Sequence, residues 1–302
     1  MKKIYRIYQV DAFTREKLSG NPAGVVPNAD GLTEVQMRKI ARELNNSETA
    51  FIFSPSDATH DVHVRFFTPT KEVPICGHAT VAAHYVRAVE NRLEAGRVLQ
   101  KTGAGILPVD ILRADGDYRI IMTQGEISIG EPLGKPHVKR LIGALGIREE
   151  DLRSDCPVVI ASTGHSKVMI GIRDVALLHN LHPGLTELSR LSGTIGCNGY
   201  YVFTLHPGET PLVHGRMFAP AIGINEDPVT GNANGPLGAY LVRFGLARAE
   251  NDLFIFEAVQ GEAIGRTGRM QVSVRVAGGE PKEVQIAGDA VIAFSTTLEL
   301  DG

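Results

Sequence analysis

Apolar positions along the chain alternate between a helical and a strand period. Met37, Ile40, Ala41 and Leu44 fall at i, i+3, i+4 and i+7, and Leu185, Leu188, Leu191 and Ile195 do nearly the same. Both runs predict amphipathic helices. Thr33 and Gln36 have the spacing of a capping box, which places the start of the first one. Val62, Val64 and Phe66 alternate with Asp61, His63 and Arg65, the pattern of a half-buried strand. Residues 270–276 alternate in the same way. Residues 49–53 form a short β-rich run ended by Pro55, residues 4–10 and 155–161 look strand-like, and residues 283–294 supply a last strand or pair of strands. Residues 129–154 link two halves and carry a short helical pattern at Val138, Leu141, Ile142 and Leu145. Residues 80–86 are apolar nearly all round, so a helix there is central rather than peripheral.

These elements repeat once. Arg65-Phe66-Phe67-Thr68-Pro69 returns 151 residues later as Arg216-Met217-Phe218-Ala219-Pro220. The same offset lays residues 34–44 over 185–195 and residues 4–10 over 155–161. A short insertion shifts the offset to 154, where Gly77-His78-Ala79 meets Gly231-Asn232-Ala233, each opening an alanine- and glycine-rich apolar stretch. Four segments in one order indicate duplication. The expected fold is therefore α+β: two pseudo-symmetric lobes, each a curled, mostly antiparallel sheet around a central helix. The first lobe is placed at residues 1–128 with a strand at 287–302 returning to it, the second at 129–286, and a ligand cleft is expected between them.

Composition narrows the functions. The chain has 302 residues, with 31 Lys+Arg against 34 Asp+Glu and a net charge of −3, which gives no field for holding nucleic acid. No stretch approaches the roughly 20 apolar residues of a membrane span. Polar residues Arg6, Gln9 and Asp11 interrupt any secretory apolar run. Cys76, Cys156 and Cys197 are odd in number and widely spaced, so no disulfide framework is expected and a cytoplasmic location is. Gly-x-Gly-x-x-Gly after a strand and the phosphate-binding Gly-x-x-x-x-Gly-Lys run are both missing, so no nucleotide cofactor is expected. His60/His63 and His179/His182 resemble metal pairs without a third ligand nearby in sequence, and no metal is assigned.

Three features can carry chemistry. Gly77-His78-Ala79 and Gly231-Asn232-Ala233 are turn-to-helix triplets, whose free N–H groups and dipole favour an anion. Glu48 lies between a helix end and an apolar strand, a position in which a carboxylate can exchange protons, although spacing alone favours the plainer reading that it is exposed or pairs with a nearby Lys or Arg. Its repeat position is Gly199, so proton delivery would be one-sided. Glu226 and Asp227 precede a helix start, where they favour its dipole, or one of them could pair with His78 and orient its imidazole. Cys76 and His78 could form a thiolate–imidazole pair. Lys167 is expected to be a solvated surface lysine.

The motifs Asp11-Ala12-Phe13-Thr14, Gly20-Asn21-Pro22-Ala23, Ser47-Glu48-Thr49-Ala50-Phe51, Phe67-Thr68-Pro69-Thr70, Cys76-Gly77-His78-Ala79-Thr80 and Glu226-Asp227-Pro228-Val229-Thr230-Gly231 span nearly the whole chain. Together they resemble the phenazine-biosynthesis (PhzF-like) isomerase family of the diaminopimelate-epimerase-like fold, and most of all its uncharacterised enterobacterial branch. The resemblance implies a homodimer and a proton shift on a small carboxylate substrate without cofactor or metal. It implies catalytic roles for Glu48, His78 and Asp227, with Glu48 as the acid/base. Substrate binding would fall to Asn21, Cys76, Gly77, Gly231 and Asn232. The family's common Gly-Ser-Ala is Gly231-Asn232-Ala233 here, which bears on substrate identity more than on proton chemistry. Related epimerases use two cysteines. Cys76 fits one position, but Thr230 stands at the other. The alternatives are a Cys76-dependent epimerase or racemase and a non-catalytic carboxylate-binding protein.

Overall fold

In the computed structural model, which describes residues 2–301, the chain forms two units: residues up to Thr123 together with those from Ala287 on, and Gln124–Ile286. The first contains β1 (Lys2–Ala12), β2 (Asn21–Val26), α1 (Glu34–Leu44), β3 (Thr49–Phe53), β4 (Val62–Phe67), β5 (Glu72–Val73), α2 (Gly77–Asn91), β6 (Gly96–Thr102), β7 (Gly105–Ala114) and β8 (Asp117–Thr123). The second contains β9 (Ser128–Pro132), α3 (Lys135–Leu145), β10 (Val159–Ser162), β11 (Lys167–Gly171), α4 (Val175–His179), α5 (Leu185–Ile195), β12 (Tyr200–Leu205), β13 (Val213–Ala219), β14 (Ile224–Asp227), α6 (Gly231–Arg243), β15 (Leu253–Gln260) and β16 (Gly268–Ala277). The last strand, β17 (Glu280–Asp301), starts in the second unit and ends in the first, where it pairs antiparallel with β1 from Ala12↔Ala290 to Lys2↔Asp301.

The repeat seen in the sequence is a repeat of topology and register. Thr49 of β3 faces Phe67 of β4, and 151 residues later Tyr200 of β12 faces Phe218 of β13. β2 runs parallel to β3, and β11 runs parallel to β12. β4 runs parallel to β6 from Val62, and β13 runs parallel to β15 from Val213. The remaining pairings described are antiparallel. Helices α1 and α5 occupy matching places with identical length. Residues 155–158, expected to be strand, are not: β10 begins only at Val159, after Pro157. Proline has no N–H to give to a ladder.

Each unit closes around a buried helix. α2 packs on β1, β2, β3 and β8, and every residue from His78 to Val86 is buried. α6 packs on β9, β10, β11, β15 and β16. At Gly238 a Cβ would lie 2.8 Å from Val274 Cγ2 and 2.9 Å from Val272 Cγ1, so the missing side chain lets β16 approach the helix. Outside these central helices, α1 turns Met37, Ile40 and Ala41 onto Phe51 and Phe67, and Thr33 and Gln36 form the capping box. In the second unit Leu141, Leu145, Leu188 and Leu191 bring α3 and α5 into one core with Val168, Ile170 and Val202. The segment read as a link is thus part of the second unit's core. No helix among the described residues is long and apolar enough to cross a membrane.

One buried side chain on α2 makes stability depend on acid. His84 is fully buried and its Nε2 donates to Gln100 Oε1 at 2.8 Å. Burial, helped by the Arg87 charge, holds its pKa down to about 4. The unfolded chain takes up this proton from about pH 6.5 downward. Stability from the neutral ring is therefore complete above about pH 6.5 and is lost as pH falls toward 4, by about 3 kcal/mol in total. In His84→Gln the fall of Tm between about pH 7 and pH 4.5 should be visibly smaller. Equal falls in the two proteins would contradict this origin.

Candidate active site

Helix α1 ends at Asn45 in a left-handed conformation, and the chain crosses through Asn46 and Ser47 to Glu48, the residue before β3. Asn46 is tied to Gln9 by two amide hydrogen bonds of 3.0 and 2.9 Å, and the Glu48 carbonyl accepts from Gly24 N at 3.3 Å. The backbone that carries Glu48 is thereby pinned to β1 and β2. Its carboxylate is 15 % exposed and lies 3.5 Å, Oε2 to Nε2, from His78. His78, 8 % exposed at its side chain, is the second residue of α2. Its ring also meets Ser47 Oγ at 3.3 Å and Cys76 Sγ at 3.4 Å from Nδ1. Sequence spacing could not decide whether Cys76 and His78 touch. They do, because Cys76 is an extended N-cap residue and His78 sits in the first turn.

The surface pairing with Lys or Arg weighed for Glu48 does not occur: its partner is an imidazole. The Cys76 side chain makes no capping hydrogen bond to α2, and no hydrogen bond within the described residues takes up the amides of Gly77, His78 and Ala79. These are the orphan donors that a helix start presents. A Cβ on Gly77 would meet nothing within 4 Å. Asn21, 1 % exposed, stands at the start of β2 opposite Ala12.

The second unit repeats the frame with different side chains. Asp227 ends β14, and its Oδ2 accepts from Thr230 Oγ1 at 2.5 Å. Gln260, 1 % exposed at the end of β15, latches this turn: its amide donates to Asp227 O at 2.7 Å and to Thr230 Oγ1 at 3.0 Å. Its Oε1 accepts from Thr230 N and Asn234 Nδ2, each at 3.2 Å. The phenol of Tyr201, fully buried, donates to Asn234 Oδ1 at 2.6 Å. A Cβ on Gly231 would lie 2.4 Å from Ile286 Cδ1, so a side chain there would push that methyl aside. Asn232 is half-buried and makes no side-chain hydrogen bond among the described residues. Gln260 and Tyr201 were not found in the sequence, where a strand-end glutamine and a core tyrosine carry no distinguishing signal.

Two expectations change. Glu226 is engaged within its own unit: both its oxygens accept from Arg216, at 2.9 and 2.7 Å, across the neighbouring strands β13 and β14. Lys167 is not solvated but 7 % exposed. Its stem lies over Gly199, where a Cβ would meet Lys167 Cδ at 2.3 Å, so the position matching Glu48 is filled by a lysine side chain rather than left open. Burial lowers the Lys167 pKa, and Nζ donates to two carbonyls, Ser166 O at 3.3 Å and His165 O at 3.4 Å. His179 meets Glu262, as does His214. The rings of His60 and His63 are 6.4 Å apart, edge to face.

Two units of one topology, each wrapping its sheet around a helix whose free N-terminus lies beside polar side chains, define the diaminopimelate-epimerase-like class of fold. The chain belongs to the phenazine biosynthesis-like (PhzC-PhzF) family, a family of small-molecule isomerases, whose pattern matches residues 10–296. It is 60 % identical to an uncharacterized isomerase of Clostridium acetobutylicum over the full length of both chains. It is 47 % identical to the uncharacterized isomerase YddE of Escherichia coli over 96 % of each chain. Identity to the trans-2,3-dihydro-3-hydroxyanthranilate isomerase of Pseudomonas aeruginosa is 31 %, over 95 % of this chain and 96 % of that one. Among solved structures, a Bacillus anthracis protein of the PhzF family superposes with a TM-score of 0.89 at 30 % identity, covering 98 % and 99 % of the two chains.

Proposed function

We propose that this chain is an isomerase that moves a proton along a small carboxylate substrate, with Glu48 taking and returning the proton. The observation that carries this reading is the Glu48–His78 contact of 3.5 Å at the free start of α2. A carboxylate that is mostly buried, held by a fixed backbone and facing an imidazole is positioned for general acid–base work. His78, contacted by Ser47 and Cys76 as well, orients Glu48 and stabilises whichever protonation state it has left. The amides around Gly77 stabilise negative charge that develops on the substrate. Asp227, Gly231 and Asn232 are assigned to the substrate's other polar groups, and Asn21 to the wall near Glu48. The reaction calls on no cofactor or metal and the enzyme works as a homodimer, as the family resemblance implies, with the cytoplasm as its place on the reading of its cysteines.

The relative from P. aeruginosa acts on trans-2,3-dihydro-3-hydroxyanthranilate, so that compound heads the substrates to be tried. The test is solvent-deuterium incorporation followed by NMR over a panel of small carboxylates. Glu48→Gln should lose incorporation and keep binding. A second reading, a Cys76-based epimerase, is favoured by the Cys76–His78 contact alone. It lacks a second thiol, since Thr230 donates its hydroxyl to Asp227. Cys76→Ser should retain incorporation within a few-fold of the parent, and complete loss in that variant would favour the thiol.

A further inference from the structure

We propose that His179, His214 and Glu262 form a binding site for a divalent transition metal of the zinc type, separate from the proton-transfer residues. The three come from different elements of the second unit: the last residue of α4, the second residue of β13, and the turn after β15. Both imidazoles address one carboxylate oxygen, Glu262 Oε2, at 3.1 Å from His179 Nε2 and 2.7 Å from His214 Nδ1. One ligand atom from each residue lies within 4.8 Å of the other two. Zinc–nitrogen and zinc–oxygen bonds of about 2.0–2.2 Å put tetrahedral ligand atoms roughly 3.3–3.5 Å apart. A metal ion among them requires the two nitrogens to draw away from Glu262 Oε2 by about 0.2–0.8 Å and each neutral ring to carry its proton on its other nitrogen. Two imidazoles and a carboxylate are a zinc-type donor set, with a fourth position left for water.

The surroundings hold these groups in place. Arg216, two residues after His214 on β13, donates to the carbonyls of Leu178, His179 and Leu181, and so fixes the chain that carries His179. Gly261 is left-handed at φ +85, and a Cβ on it would lie 2.2 Å from Arg266 O. Only glycine allows the turn that returns Glu262 to His214. His214 packs edge to face against His206 at 5.0 Å, with His206 tied to Thr204. Preorganisation of this kind is what a metal site needs from its neighbours.

The test is calorimetric titration of chelator-treated full-length protein with Zn²⁺, in a Cys76→Ser background that weakens competition from the Glu48, Cys76 and His78 group. One Zn²⁺ per chain is expected, with a rise in Tm. Affinity should fall at least about tenfold in both His214→Ala and Glu262→Gln, with the Tm rise lost. Anomalous scattering from a Zn²⁺-soaked crystal should place the ion among the three side chains, a readout that does not depend on the variants folding. Zn²⁺ affinity unchanged in both variants, or an ion found elsewhere, overturns the assignment.

Discussion

Glu48→Gln should slow proton exchange between solvent and substrate by about 10²–10⁴-fold, the usual contribution of a positioned acid or base. Glutamine keeps the length and planarity of the side chain and can still meet His78, but it cannot carry a proton. Binding should therefore change by no more than a few-fold, because the amides at the start of α2 are untouched. Glu48→Asp is the informative companion. It keeps the acid but withdraws it by one methylene from a backbone that the Asn46–Gln9 pair and Gly24 do not let follow. An intermediate rate is expected from a misplaced base. Exchange that survives in Glu48→Gln at the parental rate would remove Glu48 from the chemistry.

The largest loss of stability should come from Arg216→Ala. The Arg216 side chain is 8 % exposed and that of Glu226 is 14 %. The guanidinium satisfies both oxygens of Glu226 and three carbonyls at the end of α4 and just beyond it. Its removal leaves a carboxylate nearly buried without its partner, which typically costs about 3–5 kcal/mol. Arg216→Met with Glu226→Gln should recover much of that, since it removes the stranded charge. Urea denaturation of the three proteins measures both values, and a loss below about 1 kcal/mol in Arg216→Ala would mean that water reaches Glu226 freely.

What could be read from the sequence was local or periodic. The capping box at Thr33 and Gln36 involves neighbours on one turn, and the burial of Met37, Ile40 and Ala41 follows from helical period. The repeat was legible because the 151-residue offset preserves register, as Thr49↔Phe67 and Tyr200↔Phe218 show. The repeat and the periodicity gave two α+β lobes, each around a central helix; the resemblance added the family. What failed was decided by distant contacts. Lys167 reads as a surface residue because its shelter, Gly199, lies just before β12, distant in sequence, and acts by lacking a side chain. Glu226 was offered to His78 because its true partner, Arg216, is found only through the β13–β14 register. The pairing of His179 with His214 and Glu262 depends on three elements that no sequence spacing connects.

The route of β17 has a consequence for how the protein is made. β1 is edged along its length by β17, which is made long after it. Gln124–Ile286, by contrast, is one uninterrupted stretch. During synthesis that stretch can complete its own sheet, while the earlier-made segment waits with an open strand edge until β17 has been made. An open edge is an invitation to pair with other chains, so the nascent protein is exposed to aggregation through β1, and chaperones that shield that strand should matter more for its yield than for its final stability.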